Sequence, residues 1–151
     1  MRRRRWPNSA DRHEPDRAPS RCPPSLVLGD VVRAASQGVS VRVDPDVDGL
    51  RLPAQVSVAL HRVLLEALTN TRRHAQASDV RVTARSDGDD LVLRIDNDGV
   101  LGEAACGGHG IIGMTERMAA LGGELTAGPH GNDGWRVTAR MPLDADLPGG
   151  I

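Results

Sequence analysis

Three polar residues, Glu66, Asn70 and His74, recur at every fourth position of the segment VALHRVLLEALTNTRRHA, which otherwise has the apolar spacing of a buried helix. This spacing places a carboxylate, an amide and an imidazole on one side of the helix. A half-buried polar group without a partner costs about 1–3 kcal/mol. The three residues therefore predict either an internal hydrogen-bond network or a ligand that completes one.

Beside these residues, aliphatic side chains form a stripe along the helix. The stripe lies at about 60° to 200° around the helix axis from Glu66, taking about 100° per residue. The whole chain of 151 residues has no Phe or Tyr and only two Trp, so its core must consist of aliphatic side chains and Met. Its length predicts one folded domain. The stripe consists of Val56, Leu60, Val63, Leu64, Ala67 and Leu68.

Charge divides the chain into a basic beginning and an acidic remainder. Residues 1–24 contain seven Arg and several Pro, which predicts a disordered tail. Its four consecutive arginines could also contact nucleic acid or an anionic membrane, but a solvated tail is favoured. The folded domain is expected at 25–143, followed by a C-terminal tail at 144–151. No apolar run is long enough for a signal peptide or a membrane span, which predicts a soluble, cytoplasmic protein.

Cysteine use argues against a structural disulfide or a zinc site. The only two cysteines, Cys22 and Cys106, are far apart, and neither belongs to a CxxC pair. Metal-binding and redox motifs built on cysteine are therefore not expected.

Hydrophobic periodicity predicts the order helix, strand, helix, hairpin, loop, helix, hairpin. The first helix is expected from Ser25 to Gly38, an acidic loop at 44–51, and the long helix from Pro53 to Ala75. Two alternating runs joined by SDGDD predict a β-hairpin, residues 97–110 have no periodicity, and a helix is expected at 111–121. Antiparallel strand pairs separated by helices favour an α+β two-layer sandwich, with a mostly antiparallel mixed sheet and all helices on one face.

The segment from Gly108 to Gly113 matches the pattern GxGxxG and precedes a helix. Glycine-rich backbone at a helix N-terminus can hold phosphate through its N–H groups. A dinucleotide-binding fold is not favoured, because that motif should directly follow a strand. A glycine hinge without ligand is the other interpretation.

The hairpin ends in Asn97, Asp98 and Gly99. The polar side chains could accept a hydrogen bond from the amino group of a nucleotide base, while the glycine allows close approach to the backbone. A turn stabilised by Asn or Asp side chains is the alternative.

Taken in this order, the three motifs resemble those of the ATP-binding catalytic domain of sensor histidine kinases. More narrowly, the chain is similar to the subfamily whose sensors pair with helix-turn-helix response regulators, within the gyrase, Hsp90, histidine kinase and MutL superfamily. EALTNTRRHA matches the N box, NDG the G1 box, and GGHGIIGMTERMAALGGEL the G2 box with its helix. The resemblance covers residues 25–143 and implies the Bergerat-type ATPase fold.

This resemblance also implies ATP and Mg²⁺ as ligands. Asn70 would bind a magnesium ion that bridges the phosphates, and Glu66 would polarise the attacking group. His74 and Arg73 would contact phosphate oxygens. The remaining residues assigned to the nucleotide site are Asn97, Asp98, Gly99, Gly108, His109, Gly110, Ile111, Gly113 and Met114.

Two positions depart from the family pattern. The family has an Asp where this chain has Asn97, which can still accept a hydrogen bond from adenine but lacks charge assistance. The second glycine of the G1 box falls on Leu101, unless the loop shifts to use Gly102. Both changes predict weaker nucleotide binding than in the family at large.

The family transfers phosphate to a histidine on a dimerising helical hairpin, and His13 has no helical pattern around it. The expected partner is therefore a histidine-bearing phosphoacceptor domain on another chain, and indirectly a response regulator. Two alternative functions stay open. One is a degenerate module that acts through protein contacts, and the other is a serine kinase acting on an anti-sigma antagonist.

Overall fold

The computed structural model describes residues 27–100 and 109–143, without the side chain of His74. The predicted tails at 1–24 and 144–151, with Ser25, Leu101 and Gly108, lie outside the described residues. The elements are α1 (Leu28–Ala35), β1 (Ser40–Val43), α2 (Pro45–Asp48), α3 (Ala54–His74), β2 (Val80–Asp87), β3 (Asp90–Asn97), α4 (His109–Ala120), β4 (Glu124–His130) and β5 (Gly134–Pro142).

The five strands form one sheet in the order β1-β2-β3-β5-β4. Strand β1 runs parallel to β2, and the other three pairs are antiparallel. A parallel pair requires a crossover, and α2 and α3 provide it between β1 and β2. The structure confirms the predicted α+β class with a mostly antiparallel mixed sheet.

The core lies between α3 and the inner face of the three central strands. All six residues of the predicted stripe on α3 are buried, and none of them is more than 3% exposed.

 Ala59, which adjoins the stripe, is 6% exposed. The side chains of Val82, Leu93 and Ile95 face this aliphatic stripe from the sheet and are also fully buried. Burying a side chain of this size stabilises a fold by about 1.5–3 kcal/mol, so this contact fixes α3 on the sheet.

Two sequence predictions about loops were wrong. The acidic segment 44–51 contains the short helix α2, which begins at Pro45, a residue whose fixed φ suits a first helical position. Val47 anchors this helix in the core, and Arg33 bonds to Asp48 at 2.7 Å. Helix α4 begins at His109, two residues before the predicted start, so the end of the glycine-rich segment is helical.

The outer face of the sheet carries charged side chains that pair across strands. Arg136 binds Asp96 at 2.5 Å and Arg140 binds Asp90 at 2.6 Å, and both pairs join β5 to β3. Val92 also lies on this face but is only 2% exposed, because long Arg side chains cover neighbouring positions. The Arg136–Asp96 pair supports the register of β3 and β5 at the end where the site lies, and the Arg140–Asp90 pair does so at the opposite end.

Among the described residues, no helix combines the length and the apolar character that crossing a membrane requires.

Candidate functional site

Helix α3 carries the polar residues that the sequence singled out. Glu66 and Asn70 are half-buried, and the Asn70 amide makes no side-chain hydrogen bond to another described residue. Arg73, one turn further along, is exposed. His74 is the last residue of the helix, and its side chain lies outside the description. Within the part of the chain that the structure describes, the helix therefore presents an amide without a side-chain partner next to a carboxylate.

The first turn of α4 packs directly against Glu66. A Cβ added at Gly110 would overlap the Glu66 carboxylate oxygen and lie 3.1 Å from its Cδ. A larger residue at 110 would therefore displace the end of the Glu66 side chain from its place beside the first turn of α4. The N-terminus of a helix carries partial positive charge, so a carboxylate is favourable at this point.

Strand β3 ends in Asn97, which is only 8% exposed. Its side-chain oxygen accepts a hydrogen bond from the Thr71 hydroxyl at 3.0 Å, and its amide nitrogen donates to the Asp98 carbonyl at 3.0 Å. Asn97 and α3 are thus joined by a buried side-chain contact.

The Asp98 carboxylate faces the segment that enters β2. It accepts hydrogen bonds from the backbone N–H groups of Ser78 at 2.8 Å and Asp79 at 2.9 Å, and from the Ser78 hydroxyl. These bonds, the Asp79 N–H first among them, hold the pKa of the Asp98 carboxyl below its usual value of 3.8. The side chain of Asp98 is therefore committed to holding the turn.

Gly99 occupies the tightest position of the turn. Its φ of 69° is in the left-handed region, and an added Cβ would lie 2.7 Å from the carbonyl carbon of Gln76. The Gln76 N–H donates to the Gly99 carbonyl at 2.8 Å, and Val100 pairs with Ala75. The end of β3 therefore crosses the end of α3 in direct backbone contact.

The β4–β5 hairpin closes the other side of this turn. The Val100 N–H donates to the Asp133 carbonyl at 2.9 Å, and Trp135 lies opposite Asn97 in the β3–β5 register. Trp135 is half-buried and packs against the core. The Trp135 and Asn97 side chains therefore project from the same face of the sheet on neighbouring strands.

The predicted site residues on α4 separate into two groups. His109 is exposed and Ile111 is half-buried against the core. Met114 is 0% exposed and belongs to the core, so its side chain has no surface for a ligand in this structure. A Cβ at Gly113 would meet only Arg117, at 3.9 Å, so packing does not require glycine there.

The structure also contains a cavity of about 320 Å³ between α3, the start of β1 and the segment before β2. Thr71, Leu68 and Arg72 line it from α3, at about 140°, 200° and 240° around the helix from Glu66. This cavity therefore lies on the side of α3 away from Glu66, but it shares Thr71, Ser78 and Asp79 with the turn that holds Asn97 and Asp98.

Sequence reasoning missed the residues that hold the turn, above all Thr71, Ser78 and Trp135. Thr71 had a usable signal, since at about 140° from Glu66 it falls inside the apolar stripe. A buried hydroxyl requires a hydrogen-bond partner. The sequence contains no signal that this partner is Asn97.

Comparison with known proteins places this site in a family. Residues 55–145 match the family described as histidine kinase-, DNA gyrase B- and HSP90-like ATPases. The chain belongs to this family. The match begins in the first turn of α3 and includes the Asn97 turn and α4.

Within this ATPase family, the relatives of the chain include sensor kinases. The chain is 35% identical to the signal transduction histidine-protein kinase/phosphatase DegS of Brevibacillus brevis over 65% of its length. It is 36% identical to the sensor histidine kinase YxjM of Bacillus subtilis over 60%. The chain spans only 26% and 22% of the length of these two relatives. It therefore corresponds to their ATP-binding catalytic part.

Solved structures agree with this ATPase-family fold. The catalytic domain of histidine kinase ThkA has a TM-score of 0.60 at 13% identity, covering 78% of this chain and 93% of that one. The histidine kinase domain of the E. coli osmosensor EnvZ has a TM-score of 0.58 at 17% identity, covering 85% and 94%. At these identities the likeness shows the fold alone.

Replacing Gly99 with Ala should destabilise the domain more than replacing Gly88 with Ala. Both glycines have positive φ, at 69° and 62°, so each substitution costs about 1–2 kcal/mol of backbone strain. Only at Gly99 would the new Cβ also overlap backbone, whereas nothing lies within 4 Å at Gly88. Urea unfolding followed by circular dichroism measures the difference. Equal losses in the two variants would contradict the close contact with Gln76.

The stability of the domain should depend on pH through Asp98. Because the folded state lowers this pKa, the stabilising contribution is present above the usual value of 3.8 and is lost as pH falls through the lowered pKa. Asp98→Asn keeps an acceptor but does not titrate in this range. We expect wild type to be more stable than the variant at pH 6, with a gap that narrows below pH 3.8. Urea unfolding across this range tests it, and a constant gap would contradict the assignment.

Proposed function

We propose that this domain binds Mg²⁺-ATP beside α3 and donates the γ-phosphate to a histidine on a separate phosphoacceptor domain, which in turn serves a response regulator. The observation that carries the proposal is the Asn70 amide, which has no side-chain hydrogen bond within the described residues and lies next to Glu66, on the same helix that holds Asn97 in place. The solved structure of ShkA, which has a TM-score of 0.60 to this chain, is a complex with AMPPNP. That neighbour supports nucleotide binding here.

The donor chemistry around Asn70 fits magnesium. Mg²⁺ prefers oxygen ligands and retains several waters and substrate phosphate oxygens, so one protein carbonyl is sufficient. Within the described ranges, no group of three His, Cys, Asp or Glu residues forms an all-protein metal cage. When bound, the ion would neutralise negative charge on the phosphates.

Phosphoryl transfer requires a nitrogen of the acceptor histidine to attack the γ-phosphorus while the bond to the β–γ bridging oxygen breaks, which releases ADP. In this proposal Glu66 polarises the attacking imidazole by accepting the proton of its other ring nitrogen. The α4 N-terminus beside it offers backbone N–H groups to anionic oxygens. Arg73 is exposed near the end of α3 and would contact a phosphate oxygen from there. Phosphate contacts from His74, His109 and Gly108 stay predictions.

In this proposal, the turn after β3 recognises the adenine base. Asn97 retains hydrogen-bonding capacity beyond its two observed partners, and Trp135 provides an aromatic surface beside it. Gly99 keeps side-chain bulk away from the backbone at this point. An adenine ring placed here would contact an amide and an indole.

Asn70→Ala should abolish the magnesium-dependent part of ATP binding and leave the fold intact, because it removes the carbonyl proposed to bind the ion. Isothermal titration with ATP, with Mg²⁺ or with EDTA, measures this. Thr69→Ala, a truncation at the neighbouring half-buried position, is the matched control and should bind as wild type does. Unchanged magnesium-dependent affinity in Asn70→Ala would refute the assignment. If wild type binds no ATP at millimolar concentration, the domain is a protein-interaction module instead.

Transfer should give an acid-labile product. With labelled ATP and a separately produced histidine phosphoacceptor domain, we expect label that is lost in acid, because phosphohistidine is acid-labile. Glu66→Gln should slow transfer by about a hundredfold while ATP still binds, since it removes the proton acceptor. Acid-stable label on an anti-sigma antagonist would instead establish a serine kinase.

A further inference from the structure

The cavity between α3, the start of β1 and the segment before β2 lies on the side of α3 away from Glu66. Its volume of about 320 Å³ is at the lower end of the range of roughly 300–1,000 Å³ that is typical of ligand pockets. A Cβ added at Gly38, which lines the cavity, would meet no atom within 4 Å, so this side is open to solvent. The cavity can therefore admit a small organic molecule.

The inner end of the cavity is mostly apolar. Leu68 lines it from α3 and is only 3% exposed. Val39 and Val80, beside the starts of β1 and β2, also line it and are half-buried against the core. A short apolar chain placed here would remove the remaining exposed surface of these two valines from water, which is favourable.

The exposed end of the cavity carries a positive charge. Arg72 is exposed there, and within residues 27–100 and 109–143 its guanidinium makes no ion pair or side-chain hydrogen bond. Asp79 also lines the cavity, but its carboxylate pairs with Arg81 at 3.2 Å, so the charges of these two residues balance. An anionic group would gain a charge-assisted hydrogen bond from Arg72. The cavity therefore combines an apolar inner end with a cationic entrance.

Three residues that line the cavity also hold the turn after β3. The Thr71 hydroxyl donates to the Asn97 side-chain oxygen at 3.0 Å. The N–H groups of Ser78 and Asp79 donate to the Asp98 carboxylate at 2.8 Å and 2.9 Å. A ligand that contacts these three residues in their present positions stabilises the arrangement in which the turn is held. The cavity is thus one hydrogen bond away from the proposed nucleotide site.

We infer that this cavity binds small organic carboxylates with a short apolar chain, and that such a ligand raises the affinity of the domain for ATP. The carboxylate would contact Arg72, and the chain would contact Val39 and Val80. The effect on ATP rests on the proposed function, in which the turn after β3 contacts the base. Because both ligands favour the same arrangement of this turn, each should increase the affinity for the other by the same factor.

Pentanoate and pentanamide test the cavity directly, because they have nearly the same shape and only pentanoate is charged. NMR of the backbone amides of the whole chain, titrated with each compound without nucleotide, locates the binding and gives its affinity. We expect the largest shifts at Ser40, Arg72 and Ser78, which line the cavity. Pentanoate should bind about two- to fivefold more tightly than pentanamide, as expected for a solvent-exposed ion pair.

Arg72→Gln should bring the ratio of the two affinities to about one, because it removes the positive charge at the entrance. Arg62→Gln is the matched control, since Arg62 is also exposed on α3 but does not line the cavity. That variant should keep the wild-type ratio. Equal binding of the two compounds by wild type, or the same ratio in Arg72→Gln and wild type, would refute recognition of the carboxylate by Arg72.

The effect on ATP is measured by isothermal titration with Mg²⁺-ATP, with near-saturating pentanoate or with sodium chloride at the same ionic strength. We expect pentanoate to raise the affinity of wild type for ATP by about fivefold, at the lower end of typical coupling between two sites. Thr71→Val keeps the shape of the side chain but removes the hydroxyl, so it should bind pentanoate without this increase. Thr71→Ser retains the hydroxyl and should keep the increase.

The outcomes distinguish a failure of the cavity site from a failure of the proposed function. If pentanoate shifts the amides around the cavity but wild type binds no ATP, the proposed function fails and the carboxylate site stands. If pentanoate does not bind, or shifts amides elsewhere, the carboxylate site is refuted whether or not ATP binds. If wild type binds both ligands independently, or if Thr71→Val keeps the increase, the coupling through the turn is refuted.

Discussion

The site depends on the hydrogen bonds that join the end of β3 to the end of α3. The Asp98 carboxylate accepts from the backbone of Ser78 and Asp79, and the Gln76 N–H donates to the Gly99 carbonyl. Hydrogen bonds to an ionised carboxylate are stronger than those between neutral groups. They bring the strand that carries Asn97 next to the helix that carries Asn70, although the two segments are far apart in the sequence.

Helix α3 has two roles because its two sides meet different surroundings. One side is buried against the sheet and fixes the position and rotation of the helix. The other side carries Glu66 and Asn70, whose polar groups stay half-buried beside α4. Since the packed side cannot rotate without losing core contacts, the polar side chains are held in place by the aliphatic core. Rigid placement of this kind is what positional catalysis of phosphoryl transfer requires.

Periodicity predicted the long elements well and the short ones poorly. The 3.6-residue pattern of α3 and the alternation in β2 and β3 extend over many residues, so the burial of Val63, Leu64 and Leu93 could be predicted. Helix α2 has only four residues and no period to detect. The start of α4 was missed because Gly110 lowers helix propensity, and its contact with Glu66 is tertiary.

The sequence by itself determined the class of fold, the family and the side of α3 that carries the polar residues, because residue spacing and local motifs specify these. Only the tertiary structure decided which groups the polar side chains meet. It committed Asp98 to the turn, placed Met114 in the core and paired Thr71 with Asn97. The reason is physical: a hydrogen bond between residues about 20 or more positions apart depends on how the helices and strands pack, and local sequence does not encode that distance.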